Sequence, residues 1–318
     1  MQNILVTGAC GQIGSELVVE LGKVLPGINI ISTDIQKAPS SVKAHSTFMY
    51  LNVMDPHMIA KIVVDNEIDT IFHMAAILSA NGERNPQLAY EVNLQGLMNI
   101  LEVARLKRVE KVVTPSSIAV FGPDAPKENT PNETPLNPTT MYGVTKAAGE
   151  KLLQYYYQKY NLDTRSLRYP GIISSETAPG GGTTDFAVDI YFHAVNNKPF
   201  TCFINEASPL PFMYMPDAIK AILNLATADD RQLKRRIYNV SAMRLTPGDI
   251  SAAIQQHLPE FRCTYEPDFR QAIADSWPHS IDDSPAREEW GWRPEYDLDR
   301  MTVDMLKRIG NKKSTSLG

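Results

Sequence analysis

Three side chains of this 318-residue chain are of types that could together take a proton from an alcohol: Ser117, Tyr142 and Lys146. Tyr142 and Lys146 bound the run Tyr-Gly-Val-Thr-Lys, so on one helix they share a face about a turn apart. A free phenol titrates at about 10 and is a poor base at neutral pH. A neighbouring ammonium stabilises the phenolate and draws its pKa toward the working range. A helix N-terminus adds a smaller push in the same direction. Ser117, closing Thr114-Pro-Ser-Ser117, supplies a hydroxyl to hold the reacting oxygen. Phenol, ammonium and hydroxyl form a set that deprotonates an alcohol while a cofactor accepts its hydride. The Tyr/Lys spacing occurs by chance on many helices, so the surrounding elements must decide.

The elements begin at once. Asn3-Ile-Leu-Val-Thr7 is an apolar run suited to a buried parallel strand. Gly8-Ala-Cys-Gly11-Gln-Ile-Gly14 follows, and Ser15 to Leu25 reads as an apolar-faced helix. Strand, glycine turn and helix in that order set backbone N–H groups and a helix N-terminus against a pyrophosphate. The spacing is G-x-x-G-x-x-G, not the tighter G-x-G-x-x-G. The next strand, Asn29 to Thr33, runs into Asp34. A carboxylate there accepts both ribose hydroxyls of an adenosine and repels a 2′-phosphate. NAD is therefore expected over NADP, with Lys37 the residue that weighs the other way.

From Asn3 to residue 170 strands and helices alternate. The expected strands are Asn3–Thr7, Asn29–Thr33, Thr47–Leu51, Thr70–His73, Lys111–Pro115 and Arg165–Tyr169; the expected helices are Gly14–Leu25, Pro56–Asn66, Leu88–Leu106 and Tyr142–Tyr160. This is an α/β fold, a Rossmann doubly wound parallel sheet over residues 1–170. Beyond Tyr169 come a Gly/Thr-rich loop at Gly180–Thr184, short apolar runs and many prolines, which read as a smaller substrate-binding lobe over 171–318, with some segments returning to the sheet. Ligands of such sheets lie at the carboxyl ends of the strands. Ser79, Ser117 and Tyr169 follow three of them.

Composition bounds the partners. The net charge is −5 and no basic block occurs, which argues against nucleic acid. No apolar run approaches membrane-spanning length. The three cysteines, Cys10, Cys202 and Cys263, are scattered, which excludes a disulfide framework and suggests a reducing, cytoplasmic setting. With a strand expected from residue 3, no signal peptide is expected in this sequence. The six histidines stand apart, so no metal site is expected. His73 reads as a packed or backbone-bonded residue, Tyr155, Tyr156 and Tyr157 as core or subunit contacts, and Lys312 to Gly318 as a loose tail.

The glycine turn, the Ser117/Tyr142/Lys146 set and Asp282-Asp-Ser-Pro-Ala-Arg-Glu-Glu-Trp-Gly-Trp292 together resemble the extended short-chain dehydrogenase/reductases, the group of sugar-nucleotide epimerases and dehydratases. Narrower segments are similar to L-threonine 3-dehydrogenases of the short-chain type. They are Ile77-Leu-Ser-Ala-Asn-Gly-Glu-Arg-Asn-Pro86, Arg168-Tyr-Pro-Gly-Ile-Ile-Ser174, Pro179-Gly-Gly-Gly-Thr-Thr-Asp-Phe-Ala-Val-Asp189, Pro211-Phe-Met-Tyr-Met-Pro-Asp217 and Asp275-Ser-Trp-Pro278. This resemblance implies NAD-dependent oxidation of L-threonine to 2-amino-3-oxobutanoate, and a homodimer built on the Tyr142 and Leu88–Leu106 helices.

On that resemblance Tyr142 is the base, Ser117 orients the hydroxyl, and Lys146 bonds the nicotinamide ribose. Gly8, Gly11, Gln12, Ile13 and Gly14 hold the pyrophosphate, Asp34 the adenosine ribose, and Asn52 and Val53 the adenine side. Ala75, Ala76 and Ile77 line the nicotinamide ribose, while Tyr169 and Ile172 set the nicotinamide face. Ser79, Thr183 and Thr184 receive the carboxylate, and Trp277 closes over the methyl group. Glu83 is either the ammonium partner or a solvated loop charge. The alternative is an NAD-dependent epimerase or dehydratase on a sugar nucleotide, whose diphosphate needs cations. Where such relatives commonly carry Arg-Asp-aromatic, this chain has Phe212-Met213-Tyr214, although Arg231, Arg235, Arg236 or Arg293 could serve from elsewhere. A non-catalytic NAD sensor on the same fold is a third reading, against which the intact triad counts.

Overall fold

The computed structural model describes residues 1–176 and 182–315, with side chains to 312. Gly180 and Gly181 of the expected loop lie outside them.

Seven parallel strands form the central sheet. Six are β1 (Asn3–Thr7), β2 (Asn29–Asp34), β3 (Thr47–Tyr50), β4 (Thr70–His73), β5 (Lys111–Ser117) and β6 (Asp163–Tyr169). The spatial order is β3, β2, β1, β4, β5, β6 and then Ile237–Asn239, which returns from the C-terminal half to pair with Ser166–Arg168. Side chains alternate faces along each strand. Ile4 and Val6 join Phe72, Val113 and Leu167 under the helices Gln12–Val24 and Met215–Thr227. Leu5 joins Ile31, Ile71 and Val112 under Pro56–Asp65, Gly96–Lys107 and Met141–Tyr160. Both faces are covered, which is why these strands read as continuous apolar runs.

Gly8 and Gly14 are where the turn after β1 needs glycine. Gly8 has φ +67°, and a Cβ there would stand 2.5 Å from the Ala75 nitrogen. A Cβ on Gly14 would stand 2.1 Å from the Gly8 carbonyl oxygen. The turn thus folds against the loop leaving β4, and the Gln12–Val24 helix starts hard upon it.

Two parts of the chain depart from the sequence pattern. The expected helix Leu88–Leu106 is three pieces: Pro86–Tyr90, a wide π turn at Glu91–Gln95, and Gly96–Lys107. The C-terminal lobe is largely helical. Phe186–Val195, Pro247–His257 and Leu298–Thr315 pack on one another around Phe186, Ile190, Ile250, Ile254, Met301 and Met305. Lys312, expected to begin a loose tail, lies in the last of these helices, and its Nζ donates to the Ser175 and Glu176 carbonyls. Small sheets complete the lobe: Met243–Leu245, Leu210–Tyr214 and Gly171–Ile173, and the pair Phe200–Cys202 with Cys263–Tyr265.

Candidate active site

Ser117 ends β5, and Tyr142 opens the Met141–Tyr160 helix beside it. That helix start is fixed twice. Thr140 Oγ1 accepts from the Gly143 N–H at 3.1 Å, and the Glu83 carboxylate accepts from the Met141 N–H at 2.7 Å. Glu83 therefore holds the start of the Tyr142 helix, a third use beside the ammonium partner and the solvated loop charge. Ser117 hydrogen-bonds the Tyr142 phenol, and Lys146 lies 5.6 Å from the centre of its ring. Lys146 Nζ donates to the Pro115 carbonyl at 2.8 Å. The spacing thus brings all three groups together.

Their acidities differ from the simplest expectation. Burial pushes Tyr142 up to about 12, with the Ser117 hydrogen bond opposing. Burial pushes Lys146 down to about 8, with the Glu150 carboxylate opposing. Within the protein alone, burial is the larger influence on the phenol.

Asp34 is nearly buried, and its two oxygens accept from the Cys10 and Gln36 N–H groups, each at 2.9 Å. A carboxylate oxygen has two lone pairs, so the group can accept a ribose hydroxyl beside these bonds. Asn52 is exposed, with Oδ1 accepting from the Met54 N–H, and Val53 is buried. Ala75, Ala76 and Ile77 run on from β4 as a half-buried loop. Asn93 clamps it: Oδ1 accepts from the Ile77 N–H at 2.7 Å, and Nδ2 donates to the Ile77 carbonyl at 3.0 Å and Thr145 Oγ1 at 3.2 Å. The π turn turns Asn93 inward, joining the cofactor loop to the helix of Tyr142. Such wide turns recur at functional sites.

The remaining residues divide. Ser79 and Thr183, far apart in sequence and both nearly buried, approach to 3.4 Å through their hydroxyls. Thr184 follows, half-buried, just ahead of the Phe186 helix. Tyr169 is buried, its phenol donating to the Ala218 carbonyl at 2.5 Å, and Ile172 in the same segment is half-buried. Trp277 packs in the lobe core, and Lys127 Nζ donates to its carbonyl at 3.1 Å. His73 is packed, with Nδ1 2.8 Å from Thr7 Oγ1. Gln12 and Ile13 form the first turn of their helix, where N–H groups lack partners.

Asn93 and Glu150 were not singled out from sequence. The one available signal was a polar residue inside an apolar helical stretch, and Glu150 repeating the Lys146 spacing by four.

Residues 4–241 match the family described as "NAD dependent epimerase/dehydratase family". The chain belongs to that family. Its cofactor is NAD, which the glycine turn and Asp34 fit: a Cβ would fill the cradle, and the acid accepts ribose hydroxyls. The enzyme is 48% identical, over 100% of both chains, to an uncharacterised epimerase/dehydratase of Staphylococcus saprophyticus. It is also similar to the L-threonine dehydrogenase structure from Phytophthora infestans, at 48% identity and TM-score 0.94 over 98% of this chain and 99% of that one. A monomeric L-threonine 3-dehydrogenase from a metagenome is 44% identical, with TM-score 0.93 over 97% and 99%. Among the described residues no helix is long and apolar enough to cross a membrane, and no group of His, Cys, Asp and Glu could hold a metal.

Proposed function

We propose that this enzyme oxidises L-threonine at its 3-hydroxyl to 2-amino-3-oxobutanoate. Tyr142 as phenolate takes the hydroxyl proton while the hydride on Cβ passes to the nicotinamide. Ser117 holds the same oxygen, and Lys146 steadies the phenolate and the ribose. Ser79, Thr183 and Thr184 receive the carboxylate. The observation that carries this reading is the meeting of Ser79 and Thr183, hydroxyls from two distant segments that can both donate to a carboxylate.

The sugar-nucleotide alternative needs cations free to bind a diphosphate. Arg236 is held by Asp163, Asp230 and Tyr157. Arg235 lies against Glu289, and Arg231 pairs with Asp229. Arg293 donates to the Trp292 carbonyl. Phe212, Met213 and Tyr214 are buried in a strand. Three of the four arginines are thus paired with carboxylates and Arg293 is bonded to backbone carbonyls, which favours the amino acid.

Leu88, Tyr90, Leu106, Val144, Tyr155 and Tyr160 remain exposed on helices that pack on one another, which supports a homodimer through this face. Free Cys10, Cys202 and Cys263 suit a cytoplasmic enzyme. The domain reading becomes an NAD-binding unit over 1–170, joined by the returning 215–239 segment, with the substrate lobe formed by the rest.

L-threonine deuterated at Cβ tests the chemistry. The label is expected on nicotinamide C4 of the reduced cofactor, with a slowed single-turnover rate. Label retained in the amino acid, with a UDP-hexose converted in its place, would overturn the proposal.

A further inference from the structure

Behind the Tyr142/Lys146 pair lies a small polar cavity of about 20 Å³, room for one water. Its wall includes His73, Thr114, Ser116, Lys146, Glu150 and Ser166. Ser166 is fully buried, and its hydroxyl has no partner among the described residues. An unpartnered buried hydroxyl in a water-sized space argues for an ordered water.

Glu150 stands one helical turn beyond Lys146 and is 2% exposed. Its Oε1 accepts from Ser116 Oγ at 2.6 Å and Arg168 Nε at 2.8 Å, and its Oε2 from Arg168 Nη2 at 2.8 Å. A further donor can still reach Oε2, which has two lone pairs. Lys146 carries three N–H donors, of which the Pro115 carbonyl takes one.

The charges around Lys146 are few. On its own helix it faces Tyr142 and Glu150, from β4 His73, and from β6 Arg168 beyond Glu150. Burial and the Lys146 charge hold His73 down to about 3, so it is neutral at working pH. Tyr142 is neutral at rest. Glu150 is therefore the anion on this wall, and it opposes the burial that drives the ammonium toward neutrality.

We propose that Glu150 is the positioning counter-ion of Lys146, acting through one water in this cavity, and that it keeps the ammonium charged for its work on Tyr142. The proposal rests on the reading of Lys146 given above, so the test is made on Lys146 itself and needs no substrate.

Competitive acetylation of the full-length protein with acetic anhydride across pH, read by mass spectrometry of the Lys146 peptide, gives the titration midpoint of that amine. Glu150→Gln keeps the shape and removes the charge; the midpoint falls by about one pH unit or more. Glu150→Asp keeps the charge and changes the shape; the midpoint stays within about half a unit of wild type. With L-threonine and NAD, the Gln variant loses about tenfold in kcat at neutral pH and the Asp variant recovers most of it. An unmoved midpoint in the Gln variant, or an equal fall in both, overturns the proposal, because packing would then be the cause. If the Gln variant does not fold, a wild-type crystal decides. A water within hydrogen-bond distance of both Lys146 Nζ and Glu150 upholds the proposal, and a dry cavity refutes it. Movement of the midpoint as expected without threonine oxidation would sink the functional reading alone.

Discussion

Tyr142 is held by two opposed influences, burial raising its pKa to about 12 and the Ser117 hydrogen bond lowering it. The base form is the deprotonated one, so kcat rises with pH toward the phenol's apparent pKa in the complex. Ser117→Ala removes a downward push, and the acid limb of the kcat profile moves to higher pH; a limb displaced to lower pH would contradict this. Tyr142→Phe should cost about 10²- to 10⁴-fold in kcat while NAD affinity by fluorescence titration changes little. Comparable turnover in that variant would remove the phenol from the mechanism. Asp34→Asn replaces an anion fixed by two N–H groups with a neutral amide, so the NAD-over-NADP ratio of kcat/KM should narrow. The places of these residues in the fold were legible because spacing or position after a strand encodes them. Asn93 and Glu150 were not, since their partners Ile77, Arg168 and Ser116 come from other elements. Which side chains meet there depends on the fold.

The elements of the sheet were legible for a related reason. A strand buried on both faces has an apolar middle, and β1 and β4 came out with the expected ends. The helix after β4 was not. A 3.6-residue period accommodates no extra residue, yet the π turn at Glu91–Gln95 inserts one to aim Asn93 at Ile77. Asn93→Ala leaves the Ile77 N–H and carbonyl without their partner. It should lower unfolding free energy by about 2 kcal/mol and raise KM for NAD, since the cofactor loop loses its tether to the Tyr142 helix. Denaturant melts together with NAD titration check both; an unaltered KM would mean that the clamp serves stability alone. The C-terminal lobe was least legible. Helices such as Phe186–Val195 are apolar nearly all round because neighbours cover them, which erases the amphipathic period.

Across the whole molecule, Glu16 links the cofactor helix to the lobe by accepting from Ser174 Oγ at 2.6 Å. Burial raises its pKa from 4.5 to about 7. The folded state thus holds a proton that the unfolded state gives up between those values, and stability falls as pH rises through that window. His73, held neutral when folded, works in the opposite direction as pH drops below its ordinary 6.5. The difference between wild type and Glu16→Gln isolates the first effect: the melting temperature of the variant should lose that decline, and parallel profiles would contradict it. The exposed Leu106 and Tyr155 face predicts a dimer in sedimentation that Leu106→Glu dissociates; a monomeric wild type would refute the face as an interface. Initial rates of nicotinamide reduction test the proposed oxidation most directly. With NAD, the purified protein should reduce the cofactor rapidly on addition of L-threonine and leave a UDP-hexose unchanged. No reduction with L-threonine, together with conversion of the UDP-hexose, would contradict the account.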